Sequence, residues 1–232
     1  MSLSKITIAV DGYAACGKST LAKSLAKSLD YIYVDSGAMY RAVTLYFLDN
    51  NIDINNSLHV EQAIKNIKIH FKNINNNNYT FLNNVNVEDN IRTPQVSDFV
   101  SPVATISIVR KAMVRLQQLM GAQGGIVMDG RDIGTVVFKN AELKLFLTAS
   151  LEERTRRRML EWELKGIKNI TAREVSSNLQ KRDHIDSTRE DSPLRKANDA
   201  IEIDNSDMTP EEQLAFSLDI VENVLRKTKI NS

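Results

Sequence analysis

The sequence predicts an α/β fold: a five-stranded parallel sheet flanked by helices and interrupted by one insert. Three observations predict it. Short β-branched apolar runs alternate with helical patterns, which calls for parallel strands joined by right-handed crossovers. The first run leads into the glycine-framed stretch Gly12-Tyr13-Ala14-Ala15-Cys16-Gly17-Lys18-Ser19 and then into a helix. Residues 51–100 break the alternation with dense asparagine.

Composition bounds the function. At 232 residues with 42% hydrophobic and 25% charged content, the chain can bury a full core. A net charge of +1 gives no overall pull towards nucleic acid or membrane. Cys16 is the only cysteine, so no internal disulfide can form, which suits a reducing cytoplasm. The 3 histidines are isolated and stand at no metal-ligand spacing, against a zinc site. No apolar run approaches membrane-spanning length. Met1 to Lys5 lead into the first strand without a signal-peptide pattern.

Ile6 to Val10 read as a buried parallel strand, and Leu21 and Leu25 share one face of the helix after the loop. Strand, loop and helix in this order make the sheet one of P-loop NTPase type. Loop N–H groups and the helix N-terminus point at phosphate oxygens, so Gly12 to Thr20 form the candidate ATP site. Lys18 reaches the β- and γ-phosphates, and the Ser19 hydroxyl ligates Mg²⁺. Tyr31 to Asp35 form a second strand, and a helix follows Asp35-Ser36-Gly37 and carries Arg41 one turn in. Asp35 and Ser36 stand where open α/β sheets bind ligands, or simply cap that helix.

In the insert, residues 67–71, 79–82 and 85–87 read as a small antiparallel sheet with Asn turns, Asn75 to Asn78 forming a hairpin tip. Val96 to Met120 are helical, with a break expected at Pro102. Gly124-Gly125 turn into the third core strand, Ile126 to Asp129, an apolar run ending in an acid as a Walker B strand does. Leu143 to Thr148 form the fourth strand and Ala200 to Asp204 the fifth. Ser150, Thr171 and Thr209, each three residues before a Glu, predict capping boxes opening three helices. The segment from Lys181 to Arg189 has little apolar content, which predicts an exposed, mobile stretch.

A P-loop protein needs something to receive or sense the phosphate. No guanine-reading Asn-Lys-x-Asp segment is present. Arginines are: Arg41, Arg110 and Arg131 at predicted element ends, then Arg154, Arg156, Arg157, Arg158, Arg182 and Arg189. Guanidinium groups grip phosphate bidentately and keep their charge, so this set fits a donor and an acceptor phosphate chain. A solvated helix face paired with Glu152, Glu153 and Glu161 accounts for part of the run at 154–158. On these grounds a P-loop kinase stands first. A nucleotide-dependent switch without turnover is the alternative from another class, and an RNA-binding role has only local basic patches behind it.

The Gly12–Thr20 loop, Asp35 to Ala42, Gly130 to Phe138, Arg182-Asp183 through Asp186 to Arg189, and Ser192-Pro193-Leu194 resemble the bacterial cytidylate kinases. The match runs nearly end to end. The resemblance implies a core (1–50 and 103–232), a monophosphate-binding insert (51–102) and a mobile lid at about 154–193. It implies a monomeric enzyme transferring phosphate from ATP to CMP or dCMP with Mg²⁺; another small-molecule P-loop kinase, acting on UMP, dTMP or a hydroxyl substrate, is the first alternative. Lys18, Arg131 and Arg189 would be catalytic, and Arg157 would join the ATP site. Asp35, Ser36, Arg41, Ser101, Arg110, Arg131, Asp132, Arg182, Asp186 and Arg189 would bind CMP. Within these, Arg41, Arg131 and Arg189 grip its phosphate, while Ser101, Arg110 and Asp132 read cytosine. The loop departs from the family at Ala15, where glycine is usual and positive φ costs more for alanine.

Overall fold

The computed structural model describes residues 5–74, 77–167 and 169–230. The sequence readings for Met1 to Ser4 and for Asn75-Asn76 lie outside the described residues. The main sheet has five strands, β1 (Thr7–Gly12), β2 (Ile32–Asp35), β6 (Ile126–Gly130), β7 (Leu143–Thr148) and β8 (Ile201–Asp204), ordered β2-β6-β1-β7-β8. All four neighbouring pairs are parallel. Register puts Asp11 beside Gly130 and Gly12 beside Leu147, so the loop after β1 opens between the ends of β6 and β7. This is the carboxyl edge where open sheets bind ligands.

Helices cover both faces. On one, Leu21 and Leu25 of α1 (Lys18–Leu29) pack with Val221 of α8 (Pro210–Ile230) over Ile8, Val10 and Leu145. On the other, α2 (Ser36–Asp49), α4 (Pro94–Thr105) and α5 (Ser107–Met120) bury Met39, Val43, Val103, Val109 and Met113 against Met128. A third, small cluster joins Trp162 of α6 (Leu151–Leu164) and Val175 and Leu179 of α7 (Ala172–Thr188) to Ala14 of the loop.

The small sheet, β3 (Ile69–Ile74), β4 (Asn77–Leu82) and β5 (Val85–Asn86), is antiparallel as predicted. Asn83 and Asn84 turn β4 into β5 at φ 49° and 68°, left-handed values that asparagine tolerates. Asn77 and Asn78, expected at the hairpin tip, are the first two residues of β4. A helix precedes this sheet, α3 (Ser57–Asn66), which the sequence reading did not separate from the rest of the insert. Asn56 caps it, and Val60 and Ala63 are its buried stripe.

Two boundaries differ from expectation. Pro102 lies inside α4, and the break comes at Ile106. The ring removes one intrahelical bond, and burial of Val103 and Ala104 carries the helix past it. Helix α7 runs on to Thr188 through the stretch expected to be exposed; Arg182, Asp186 and Arg189 there are 7%, 4% and 8% exposed. Their partners are other charged and polar groups, which apolar patterning does not register. Thr171 and Thr209 form full capping boxes, whereas Ser150 forms half of one. The Glu153 carboxylate turns instead to Arg156 and Arg157.

Candidate active site

One cleft of about 860 Å³ runs from the loop after β1 to Arg110 in the first turn of α5. It is lined by Ala15, Gly17, Lys18, Ser19, Thr20 and Arg157 at one end and by every predicted CMP-site residue beyond them. Gly12, Tyr13, Ala14 and Cys16 stand behind the loop and shape it. At Gly12, φ is 146° and a Cβ would sit 2.1 Å from the Leu147 carbonyl oxygen, so only glycine fits. Tyr13 packs edge-on against Phe146. Ala15 takes φ 58°, the left-handed conformation that made alanine unexpected there. The loop is braced from outside as well. The Ala14 N–H donates to Asp183 Oδ1 at 3.0 Å, Arg154 pairs with Asp183, and Asn205 Nδ2 donates to the Cys16 carbonyl at 2.8 Å. Asn205 also holds Arg157 through Nη1 (2.9 Å) and Nη2 (2.7 Å).

Lys18 is buried and donates to the Tyr13 carbonyl. Burial first, and Arg131 second, lower its pKa, so an anion in the loop would supply the counter-charge the ammonium lacks. Ser19 Oγ donates to Asp129 Oδ2 at 2.8 Å, and Tyr33 donates to Asp129 Oδ1 at 2.9 Å. Burial, with Asp35 nearby, raises the Asp129 carboxyl to about 6. A hydroxyl and a carboxylate at the phosphate end are hard oxygen donors, which fits a Mg²⁺ ion arriving with nucleotide. Among the described residues no group of three or more His, Cys, Asp or Glu could hold a metal by itself.

At the middle of the cleft, Asp35 caps α2 through the Ala38 N–H (2.8 Å) and takes Arg41 and Arg92 on Oδ2 at 2.9 and 3.0 Å. Burial works against this carboxylate, but the two arginines outweigh it and hold it at about 2. Ser36 Oγ donates to the Asp129 carbonyl at 2.6 Å. Arg131 Nε donates to Asp186 Oδ2 at 2.9 Å, tying the loop after β6 to α7. Burial, then Arg158 and Arg131, lower Arg182 to about 9; its Nη1 donates to Ser97 Oγ at 3.1 Å. At the closed end, Arg110 pairs with Asp132, Arg189 Nη2 stands 3.7 Å from the other Asp132 oxygen, and Tyr40 lies under Arg110. Buried Ser101 completes this end.

Several residues were missed by the sequence reading. Asp11 accepts from the Ile133 and Gly134 N–H groups at 2.9 and 2.8 Å and so sets the loop that carries Arg131 and Asp132. Burial raises it to about 7 despite those two bonds. Its signal was an acid at the end of an apolar strand, directly before the loop. Arg92 and Asn205 gave weaker signals, an i,i+4 pairing with Glu88 and a polar residue just past a strand end.

A phosphate loop, a lysine and hydroxyl at its helix, and a second arginine-lined compartment define a P-loop kinase acting on a small phosphorylated acceptor. The family described as Cytidylate kinase matches residues 8–229. This chain therefore belongs to the cytidylate kinase family. A cytidylate kinase of Flavobacterium psychrophilum is 53% identical over 227 residues, covering 96% of this chain and 100% of that protein. One from Parabacteroides distasonis is 54% identical, covering 94% of this chain and 96% of its own. One from Bacillus cereus is 46% identical, covering 96% and 99%.

Proposed function

We propose that this chain transfers the γ-phosphoryl group of ATP to the phosphate of CMP or dCMP, giving ADP and CDP or dCDP for pyrimidine nucleotide metabolism. The observation that carries the reading is the buried Arg110–Asp132 pair at the end of the cleft opposite the phosphate loop. Asp132 accepts from the exocyclic amine of cytosine, and Arg110 donates to the ring acceptors. Uracil, with a carbonyl at that position, meets a carboxylate and is rejected.

An oxygen of the acceptor phosphate bonds to the γ-phosphorus as the bond to the β,γ-bridging oxygen breaks. The acceptor is anionic near neutrality, with a second pKa of about 6, so no general base is required. The work is positioning and charge stabilisation. Gly12 to Thr20 cradle the ATP phosphates, Lys18 follows the transferring group, and Arg157 flanks the donor. Arg41, Arg131 and Arg189 hold the acceptor phosphate; Arg182 and Asp186 stand near the sugar. Ser19 would hold a Mg²⁺ ion arriving with the nucleotide, which would supply positive charge against the donor phosphates.

Residues 1–50 and 103–232 form the core and 51–102 the acceptor-binding insert. A lid at about 154–193 closes when both nucleotides are present and excludes water. The protein acts as a cytoplasmic monomer on small nucleotides, with no nucleic-acid or membrane partner, a reading supported by its net charge of +1 and its unpaired, buried Cys16. Phosphorus NMR of the protein with Mg-ATP and CMP tests the reaction. Growth of the diphosphate signals of CDP and ADP in step is expected; ATP loss into inorganic phosphate alone would contradict it.

A further inference from the structure

The tip of the phosphate loop is held by α6 and α7, the two helices of the proposed lid. Ala14 is 1% exposed, and both of its backbone polar groups have partners there. Its N–H donates to Asp183 Oδ1 of α7 at 3.0 Å, and its carbonyl accepts from Arg154 Nη1 of α6 at 3.3 Å. Arg154 and Asp183 also pair with each other through Nη1 and Oδ2. The Ala14 side chain packs with Trp162, Val175 and Leu179 of the same two helices. The Arg154 guanidinium lies over the Tyr13 ring, 5.4 Å from its centroid, and its Nε donates to the Ala149 carbonyl at 3.1 Å.

A strut between α6 and α7 would need only the ion pair. Here each member makes a second contact, and both second contacts fall on one loop residue. That residue directly precedes Ala15, which takes φ 58°. A left-handed residue in such a loop turns successive N–H groups to one side, where they can face an anion. Holding Ala14 therefore holds the turn that aims them. Asp183 also acts on Lys18: burial first, and Arg131 second, lower the Lys18 pKa, and the Asp183 carboxylate works in the opposite sense. On the same turn of α7, Arg182 donates to Ser97 and Asp186 accepts from Arg131, so this turn touches the loop and the acceptor end together.

We propose that Asp183 and Arg154 are positioning residues for the donor: their ion pair holds the phosphate loop in its anion-binding form, so ATP affinity depends on the docking of α7 against Ala14. This rests on the reading of the loop as the ATP site.

The test is calorimetric titration of the full-length protein with the Mg²⁺ complex of β,γ-imido-ATP, which binds without turnover, and separately with CMP. For Asp183→Ala, affinity for the ATP analogue is expected to fall about 10- to 100-fold, as for loss of a charge-assisted contact. CMP affinity is expected to stay within about twofold, because Asp183 hydrogen-bonds Ala14 and Arg154 and no acceptor-site residue. Asp183→Asn keeps an acceptor for the Ala14 N–H and should recover part of the loss; it carries the test if the alanine variant does not fold. Arg154→Met should also weaken the analogue. The double variant should lose no more than about twofold beyond the worse single one, as for two groups acting as a unit. If the analogue and CMP weaken in parallel, the pair only docks α7 and the proposal fails. It fails too if analogue affinity does not change, or if the two single effects add in full. If the wild-type protein binds the analogue no better than adenosine, the loop is not the ATP site and the donor reading itself fails, whatever the variants do.

Discussion

Replacing Asp132 by Asn removes one negative charge from a place where two guanidinium groups meet it. Arg110 and Asp132 are each 3% exposed, so solvent screens little of the loss. Breaking a buried pair by removing one partner costs about 3–5 kcal/mol. Arg110 keeps the Ala104 carbonyl at 3.2 Å, and Arg189 keeps the Ser192 carbonyl at 2.9 and 2.7 Å. The low end of that range, about 3 kcal/mol of folding stability, is therefore expected. The effect on selectivity has a separate origin. An asparagine amide that turns its oxygen to Arg110 turns its NH₂ to the cytosine amine, donor against donor; the opposite rotamer sets NH₂ against Arg110. Either way a buried donor is left unmatched, at about 1–3 kcal/mol. With the lost charge included, kcat/KM for CMP should fall about 10²- to 10³-fold. Uracil gains a donor for its carbonyl, so the CMP/UMP ratio should fall further still. Coupled spectrophotometric detection of ADP gives both constants. An unchanged CMP/UMP ratio in a folded variant would refute the cytosine-reading role of Asp132.

Other consequences are equally accessible. Ala15→Gly relieves a left-handed alanine worth about 1–2 kcal/mol but adds freedom to the unfolded chain, so a net gain of up to about 1 kcal/mol and a rise in Tm of about 2–4 °C are expected by calorimetry. A fall in Tm would mean that packing of the Ala15 methyl with the Trp162 cluster outweighs the strain. Asp11 has a folded pKa of about 7, above the ordinary 3.8, so the fold favours its protonated form and loses stability as pH rises between those values. Asp11→Asn abolishes that dependence, and its Tm relative to wild type should climb between pH 5 and 8, values that bracket the upper part of the transition; a constant difference would place the titration elsewhere. Lys18→Met should lower kcat about 10²- to 10³-fold, as for loss of a donor to transition-state charge, while calorimetric CMP affinity stays unchanged.

The sheet was legible because its strands are short apolar runs closed by glycine or acid, and burial on both faces writes itself into sequence. The loop was legible because Gly12 and Gly17 answer to backbone geometry: a Cβ at one would meet the next strand, and the other sits at φ 86°. The polar half of the site was harder. The stretch from Lys181 to Arg189 looked like exposed loop, since an arginine buried against aspartate has the same composition as one in water. Arginine content marked Arg182 and Arg189, and motif resemblance, not periodicity, singled out Asp186 and gave all three a place in the site. Asp11 and Arg92 escaped because each acts through a partner far along the chain, Gly134 and Asp35 respectively. The α3 helix escaped because its stripe of Val60 and Ala63 is narrow.

The central claim is that one cleft binds ATP at the loop after β1 and reads cytosine at Asp132. It is tested most directly by steady-state ADP production from Mg-ATP with CMP, dCMP, UMP, AMP, dTMP and no acceptor, in one assay. High kcat/KM for CMP or dCMP, with the other acceptors and the blank far below, is the expected result. Equal turnover of UMP would contradict the reading of Asp132, and no turnover with any monophosphate would contradict the kinase assignment of this cleft.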